Sequence, residues 1–360
     1  MSNVDRHTVR EGRGAGSNPV GRFEPTYSEA ADDGWGILEE PVMSLRTTVQ
    51  PDLARSIIAR NKSPDVPFDQ SINPYRGCEH GCVYCYARPS HAVMNLSPGL
   101  DFESRLFYKP NAAELLEKEL AAKNYRCSPI ALGANTDPYQ PIERTYGVTR
   151  SILETLSKYD HPATIVTKGA TLILRDLDLL ADMARRNLIT VHMSVTTLDS
   201  ALKRTLEPRA ASPAARLTVI RKLADAGVPV GVLVAPVIPV LTDDELERIL
   251  QAAAKAGAMS ARYILLRLPY EVKTLFRQWL ADHEPLKAEH VMSRIHALRG
   301  GRDNDPRFGT RYRGEGQYAE LLARRFELAV RRFGLDKDLP APDTRRFKPP
   351  APDSPQLSLF

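Results

Sequence analysis

The sequence has no run approaching the roughly 18 uninterrupted apolar residues that a membrane-crossing helix needs, so no integral membrane protein is expected. Its opening, MSNVDRHTVREGRGAGSNPV, lacks the apolar stretch of a secretory signal, and a cytoplasmic location is the expectation. Cysteine is scarce: 4 in 360 residues, too few for a disulfide framework. Neither sign of charge dominates, since 49 Lys and Arg against 44 Asp and Glu leave +5. That small excess permits a nucleic-acid partner without requiring one. What is abundant is ordinary core material, 42% apolar residues. The length suits two domains or one α/β barrel of roughly 250 residues.

Residues 1–45 are poor in aliphatics and read as a mostly disordered segment, with Phe23, Tyr27 and Trp35 as docking points. From 46 to 268, short β-branched runs alternate with longer helical patterns. The strand-like runs are Ser71–Arg76, Pro129–Asn135, Ala163–Lys168, Ile189–Thr196, Pro229–Ala235 and Arg262–Leu268. Helical patterns fall at 111–124, 147–159, 173–187, 212–226 and 242–256, the last with Thr242 as its expected N-cap. Gly227 and Gly257 stand where helix C-caps belong. Six alternating units imply an α/β fold with a parallel sheet and right-handed crossovers, an open partial (β/α)6 barrel. In such folds chemistry gathers at the carboxyl ends of the strands. Residues 269–336 form an arginine-rich helical extension and 337–360 a proline-rich, extended tail.

Three of the cysteines, Cys78, Cys82 and Cys85, fall within eight residues directly after the first predicted strand. Thiolates this close repel unless a cation holds them, and Gly77 and Gly81 let the backbone wrap tightly. Two metal readings compete. Zinc would take the three cysteines and His80. An iron–sulfur cluster would take the three cysteines and leave one iron open, because Cys127 lies at the start of the second strand, the wrong end of the sheet.

Cys78, Cys82, Tyr84 and Cys85 match C-x3-C-x-Φ-C with an aromatic at Φ, and so resemble the radical S-adenosylmethionine (radical SAM) superfamily. The resemblance spans about residues 68–268 and implies a partial barrel, a [4Fe-4S] cluster ligated by those cysteines, and S-adenosylmethionine (SAM) on the open iron. It also implies reductive cleavage of SAM to a 5′-deoxyadenosyl radical, with flavodoxin or ferredoxin as the kind of reductant. The string from Gly77 to Arg88 is most similar to the spore photoproduct lyase-related branch, often described as DNA repair photolyases. That similarity implies Tyr84 beside the SAM adenine, Asn135 and Thr136 near its amino group, Lys168 on its carboxylate, and Ser194 as a further contact. Those lyases carry a hydrogen-donating cysteine where this chain has Ala134, so a related but different radical reaction is implied, with no residue assigned as catalytic.

Arginine accumulates between Arg294 and Arg332 with no lysine among the ten, a composition suited to phosphate. Interleaved acidic residues make an ion-paired, solvated face the alternative. The last five residues, Gln356-Leu357-Ser358-Leu359-Phe360, are similar to the pentapeptide by which bacterial DNA-maintenance proteins dock on the replicative sliding clamp. The reading is therefore a radical SAM enzyme of nucleic-acid maintenance, DNA favoured. Its rivals are a radical SAM enzyme of tRNA or a peptide, and a non-catalytic zinc-stabilised DNA-binding module.

Overall fold

The computed structural model describes residues 8–23 and 45–350. The clamp-like pentapeptide Gln356–Phe360, with Tyr27 and Trp35, lies outside the described residues. Ten strands occur among the described residues: β1 Thr48–Pro51, β2 Ala59–Arg60, β3 Gln70–Ile72, β4 Tyr75–Arg76, β5 Arg105–Tyr108, β6 Ile130–Leu132, β7 Ala163–Thr167, β8 Ile189–Ser194, β9 Val230–Val237 and β10 Ser260–Leu265. Seven form one sheet in the order β10-β9-β8-β7-β6-β3-β2. The six from β3 to β10 run parallel, and β2 closes one edge antiparallel to β3. This is an α/β fold, an open sheet with helices between its parallel strands. The strands are short and buried because helices cover their faces, and Val191, Val230, Val232 and Ile165 are fully enclosed.

The predicted strand Ser71–Arg76 is two strands. After β3, Pro74 offers no N–H to continue the ladder, and the chain leaves the main sheet. β4 then pairs with β5 in a separate three-stranded sheet, β1-β5-β4, which carries the cysteine loop. The second strand also stops early, at Leu132 rather than Asn135. Gly133 takes φ +90, and a Cβ there would sit 2.1 Å from the Val166 carbonyl oxygen, so the turn admits only glycine. Helix 173–187 is broken at Asp176 into Thr171–Arg175 and Leu177–Arg185. Thr242 does not cap its helix: its hydroxyl accepts from Ile238 N at 2.8 Å, and a 3-10 turn, Asp243–Glu245, precedes Leu246–Lys255.

The described parts of the two end segments, residues 8–23 and 337–350, pack on the body. Ala15 is buried in a cluster with Cys82, Val83 and Tyr84, and the buried Ser17 accepts from Leu100 N. At the far end Phe347 packs edge-on to Tyr125 and His161, and Lys348 N donates to the Tyr159 carbonyl. The extension 269–336 contributes helices Val272–His283, Ala288–Leu298 and Gln317–Phe333. Beyond the last of these, Asp336 bridges to Ser260 and Leu335 O accepts from Ala261 N, covering the edge of β10. Among the described residues no helix is long and apolar enough to cross a membrane.

Candidate active site

The cysteine loop is held from beneath by one arginine. Arg88 is fully buried, and its guanidinium donates to the carbonyls of Cys82 (2.9 Å), Gly81 (3.1 Å), Gly99 (2.7 Å) and Pro98 (3.2 Å) and to Glu103 (3.2 Å). The fork thereby fixes the loop's backbone around the second cysteine. Glu103, also fully buried, accepts from Gly14 N (3.0 Å) and Ala15 N (2.8 Å), so the N-terminal segment is stitched to the same loop. Gly81 needs its positive φ, since a Cβ there would lie 2.3 Å from a Glu103 carboxylate oxygen. On the other side Gln140 clamps the loop, accepting from Glu79 N (2.8 Å) and donating to Gly77 O (3.1 Å).

Cys78 and Cys82 are buried and Cys85 is half-buried. Burial pushes all three thiols up, Cys82 to about 12; Asp137 and the other two thiols add to the rise at Cys78, and Glu207 to that at Cys82. Among the described residues no three His, Cys, Asp or Glu side chains converge tightly enough to hold a single metal ion. His80 is buried, and its Nδ1 lies 3.3 Å from Asp137. Cys127 lies just before β6, at the end of the sheet away from the loop.

Beside Cys82 a polar group fills the interior at the carboxyl ends of β7 and β8. Lys168 Nζ donates to Ser194 Oγ at 2.9 Å, lies 4.0 Å from Glu207 and sits 5.8 Å from the centre of the Tyr84 ring. Tyr84 donates its hydroxyl to Glu207, which also accepts from Thr196 Oγ1 (2.7 Å) and pairs with the buried Arg216. Burial alone would raise the Glu207 carboxyl, but Arg216 and Lys168 hold it down at about 2. The predicted residues Tyr84, Lys168 and Ser194 are thus together. Glu207 and Arg216, which bind them, had no motif to announce them.

Asn135 and Thr136 stand on a neighbouring turn. Their N–H groups donate to Asn73 Oδ1 at 3.0 and 3.4 Å, and Thr136 Oγ1 donates to Tyr75 O at 2.9 Å. Thr136 therefore braces the loop entering the cysteines. The adjacent Asp137 joins the two halves: it accepts from Thr167 Oγ1 (2.6 Å), Lys168 N (2.7 Å) and Tyr139 N (2.9 Å). Burial would raise its carboxyl; His80 and these donors hold it at about 2.

The arginine face divides. Arg299 is buried on the carbonyls of Leu266 and Thr310, Arg307 pairs with Asp305 and Glu315, and Arg325 pairs with Glu247. Arg302, Arg313, Arg324, Arg331 and Arg332 remain exposed. The interleaved acids thus consume several of the cations that the sequence offered to phosphate.

A three-cysteine loop at the mouth of an open parallel α/β sheet defines a class. The chain belongs to the radical SAM superfamily, whose family model matches residues 72–253. An uncharacterized protein of Mycobacterium tuberculosis is 39% identical over 232 residues, 63% of this chain and 68% of that protein. An uncharacterized protein of Methanocaldococcus jannaschii is 31% identical over 175 residues, 48% of this chain and 62% of the other. Among solved structures, spore photoproduct lyase complexed with dinucleoside spore photoproduct superposes with a TM-score of 0.55 at 17% identity, covering 79% of each chain. That likeness is one of fold. Membership implies a [4Fe-4S] cluster and SAM. The donor set fits them: three soft thiol ligands on one loop whose mutual repulsion a cationic cluster relieves, next to an ammonium and hydroxyls suited to an amino acid carboxylate.

Proposed function

We propose that this radical SAM enzyme cleaves SAM reductively and acts on damaged or modified nucleic acid, DNA in the first place. In this reading Cys78, Cys82 and Cys85 would hold the cluster, with SAM beside it. When bound and reduced, the cluster and SAM would supply radical chemistry of the hydrogen-abstracting kind.

The chain's own residues bind, orient and exclude water. Lys168 pairs with the SAM carboxylate, its ammonium aimed by Ser194 and the Ala235 carbonyl. Tyr84, its hydroxyl tied to Glu207, presents a fixed ring to the adenine. Asn135 and Thr136 serve the amino group from the turn beside the loop, and Ser194 adds a hydroxyl. The observation that carries the reading is a three-thiol loop braced by Arg88, with Cys82 and Cys85 in the field of Lys168 and Cys82 also in that of Glu207.

Three features support nucleic acid as substrate: the fold shared with a lyase whose structure holds a dinucleoside photoproduct, the exposed arginines, and the C-terminal pentapeptide. Ala134 argues that the reaction differs from that lyase's. Gln356–Phe360 would tether the enzyme to the bacterial sliding clamp, and a flavodoxin or ferredoxin would deliver the electron, both in the cytoplasm. The test is the yield of 5′-deoxyadenosine with ultraviolet-irradiated DNA, intact DNA, tRNA and peptide. A rise confined to damaged DNA supports the reading; a rise with tRNA or peptide alone contradicts it. For the tether, deleting residues 356–360 should abolish capture by purified clamp.

A further inference from the structure

The partial barrel is open between its edge strands, and the extension closes part of that opening. Leu265 N at the end of β10 donates to Tyr312 O (2.9 Å), while across the gap Gly309 N donates to Asp65 Oδ1 (2.7 Å) and Arg311 pairs with Asp65. Two residues after β10, Arg267 stands in this frame, its guanidinium 5.1 Å from the centre of the Tyr312 ring. Tyr86, which follows Cys85 and donates its hydroxyl to the Ala134 carbonyl, lies within electrostatic reach of it.

Arg267 forms no ion pair with a carboxylate among the described residues, and its Nε is buried without a hydrogen-bond partner. The nearby acids are already used. Asp65 serves Arg311 and Gly309, while Asp305 serves Arg307 and Thr310. Its charged neighbours are cations, Arg311 and the buried Arg299, so burial and their field disfavour its own charge. Tyr312, which hydrogen-bonds the guanidinium, opposes burial and Arg311, but no carboxylate among the described residues pairs with it. Tyr86 beside Arg267 and Phe308 beside Arg311, at 49% and 60% exposure, are rings suited to flat, unstacked bases.

We propose that Arg267 takes a phosphodiester oxygen of a nucleic-acid strand lying across the opening, with bases against Tyr86 and Phe308. This deepens the nucleic-acid reading and rests on it. The strand would enter beside Cys85 and Ala134, bringing a base toward the cysteine loop.

The test is fluorescence anisotropy of a short labelled single strand, titrated at several salt concentrations, with wild type, Arg267→Gln and Arg307→Gln. Iron content and circular dichroism confirm that each variant is folded. Arg267→Gln should weaken binding about tenfold and flatten the log–log salt slope by about 0.7, one phosphate's worth for a single strand. Arg307→Gln, whose guanidinium is already neutralised, should leave the slope unchanged. A neutral methylphosphonate strand should bind wild type and Arg267→Gln equally well. An unchanged slope in Arg267→Gln, or an equal loss in Arg307→Gln, overturns the proposal while nucleic-acid binding stands. Weaker SAM binding by Arg267→Gln, with strand affinity intact, assigns the anion to SAM and overturns it too. No strand binding by wild type removes both this site and the nucleic-acid reading.

Discussion

At the scale of single residues, the three cysteines and their bystander make the sharpest contrast. Replacing Cys78, Cys82 or Cys85 with Ala should remove most bound iron after anaerobic reconstitution, whereas Cys127→Ala should retain it. Iron and sulfide analysis reads both, and iron loss in Cys127→Ala would mean that it is a ligand. The cysteines were legible because their chemistry is local in sequence: one spacing and one aromatic suffice. Lys168 and Ser194 were named through the family resemblance at two strand ends, and the structure brings the two side chains together. Glu207 and Arg216 were not legible. Glu207 reaches Tyr84 across 123 residues, and such a contact leaves no trace in periodicity or composition. Glu207→Ala strands Arg216 and frees Tyr84, and should cost about 3–5 kcal/mol of stability in urea unfolding, as the loss of one partner of a buried pair does. A loss below about 1 kcal/mol would show that the network is not load-sharing.

At the scale of elements, the described parts of the two end segments, residues 8–23 and 337–350, are ordered for one reason. Low aliphatic content and proline predict disorder, but a segment can be ordered by hydrogen bonds that others provide. Residues 13–15 are held by Glu103 and by Arg13, which donates to the Glu103 carbonyl and the Leu45 carbonyl, each at 2.7 Å. A Cβ on Gly14 would lie 1.8 Å from the Gly81 carbonyl oxygen, so no larger residue fits between strap and cysteine loop. Gly14→Val should therefore detach the strap and shorten the lifetime of the cluster's visible absorbance in air severalfold; an unchanged lifetime would show that the strap does not shield it. The tail has its own anchor. His161 is fully buried between Tyr125 and Phe347. Burial draws it down from 6.5 to about 4, partly opposed by its bond to Pro162 O. Between those values the unfolded chain binds a proton that the folded chain refuses. Stability is therefore complete above about pH 6.5 and falls as pH drops toward 4, by up to about 3 kcal/mol for this one ring. Thermal melts at pH 7 and 5 should show a shallower acid decline in His161→Gln; an equal decline would place the sensitivity in His91 and His192, also drawn down to about 4 by burial.

At the scale of the molecule, six parallel strands and the helices between them were readable, since alternating β-branched and helical periods follow directly from burial on both sheet faces. The break at Asn73–Pro74 that sends the cysteine loop onto a second small sheet was not, because it depends on pairing with β5, thirty residues on. The architecture that results sets the cysteine loop and the Lys168 group on the side reached by the carboxyl ends of the core strands, while the tail is anchored beside Tyr159 and Asn187, ahead of β7 and β8 at their amino ends. The most direct measurement of the central claim is the formation of 5′-deoxyadenosine by the anaerobically reconstituted chain given SAM and dithionite. The account predicts its release by wild type, together with methionine, and none from Cys82→Ala. A wild-type protein carrying its full iron and leaving SAM intact would contradict it.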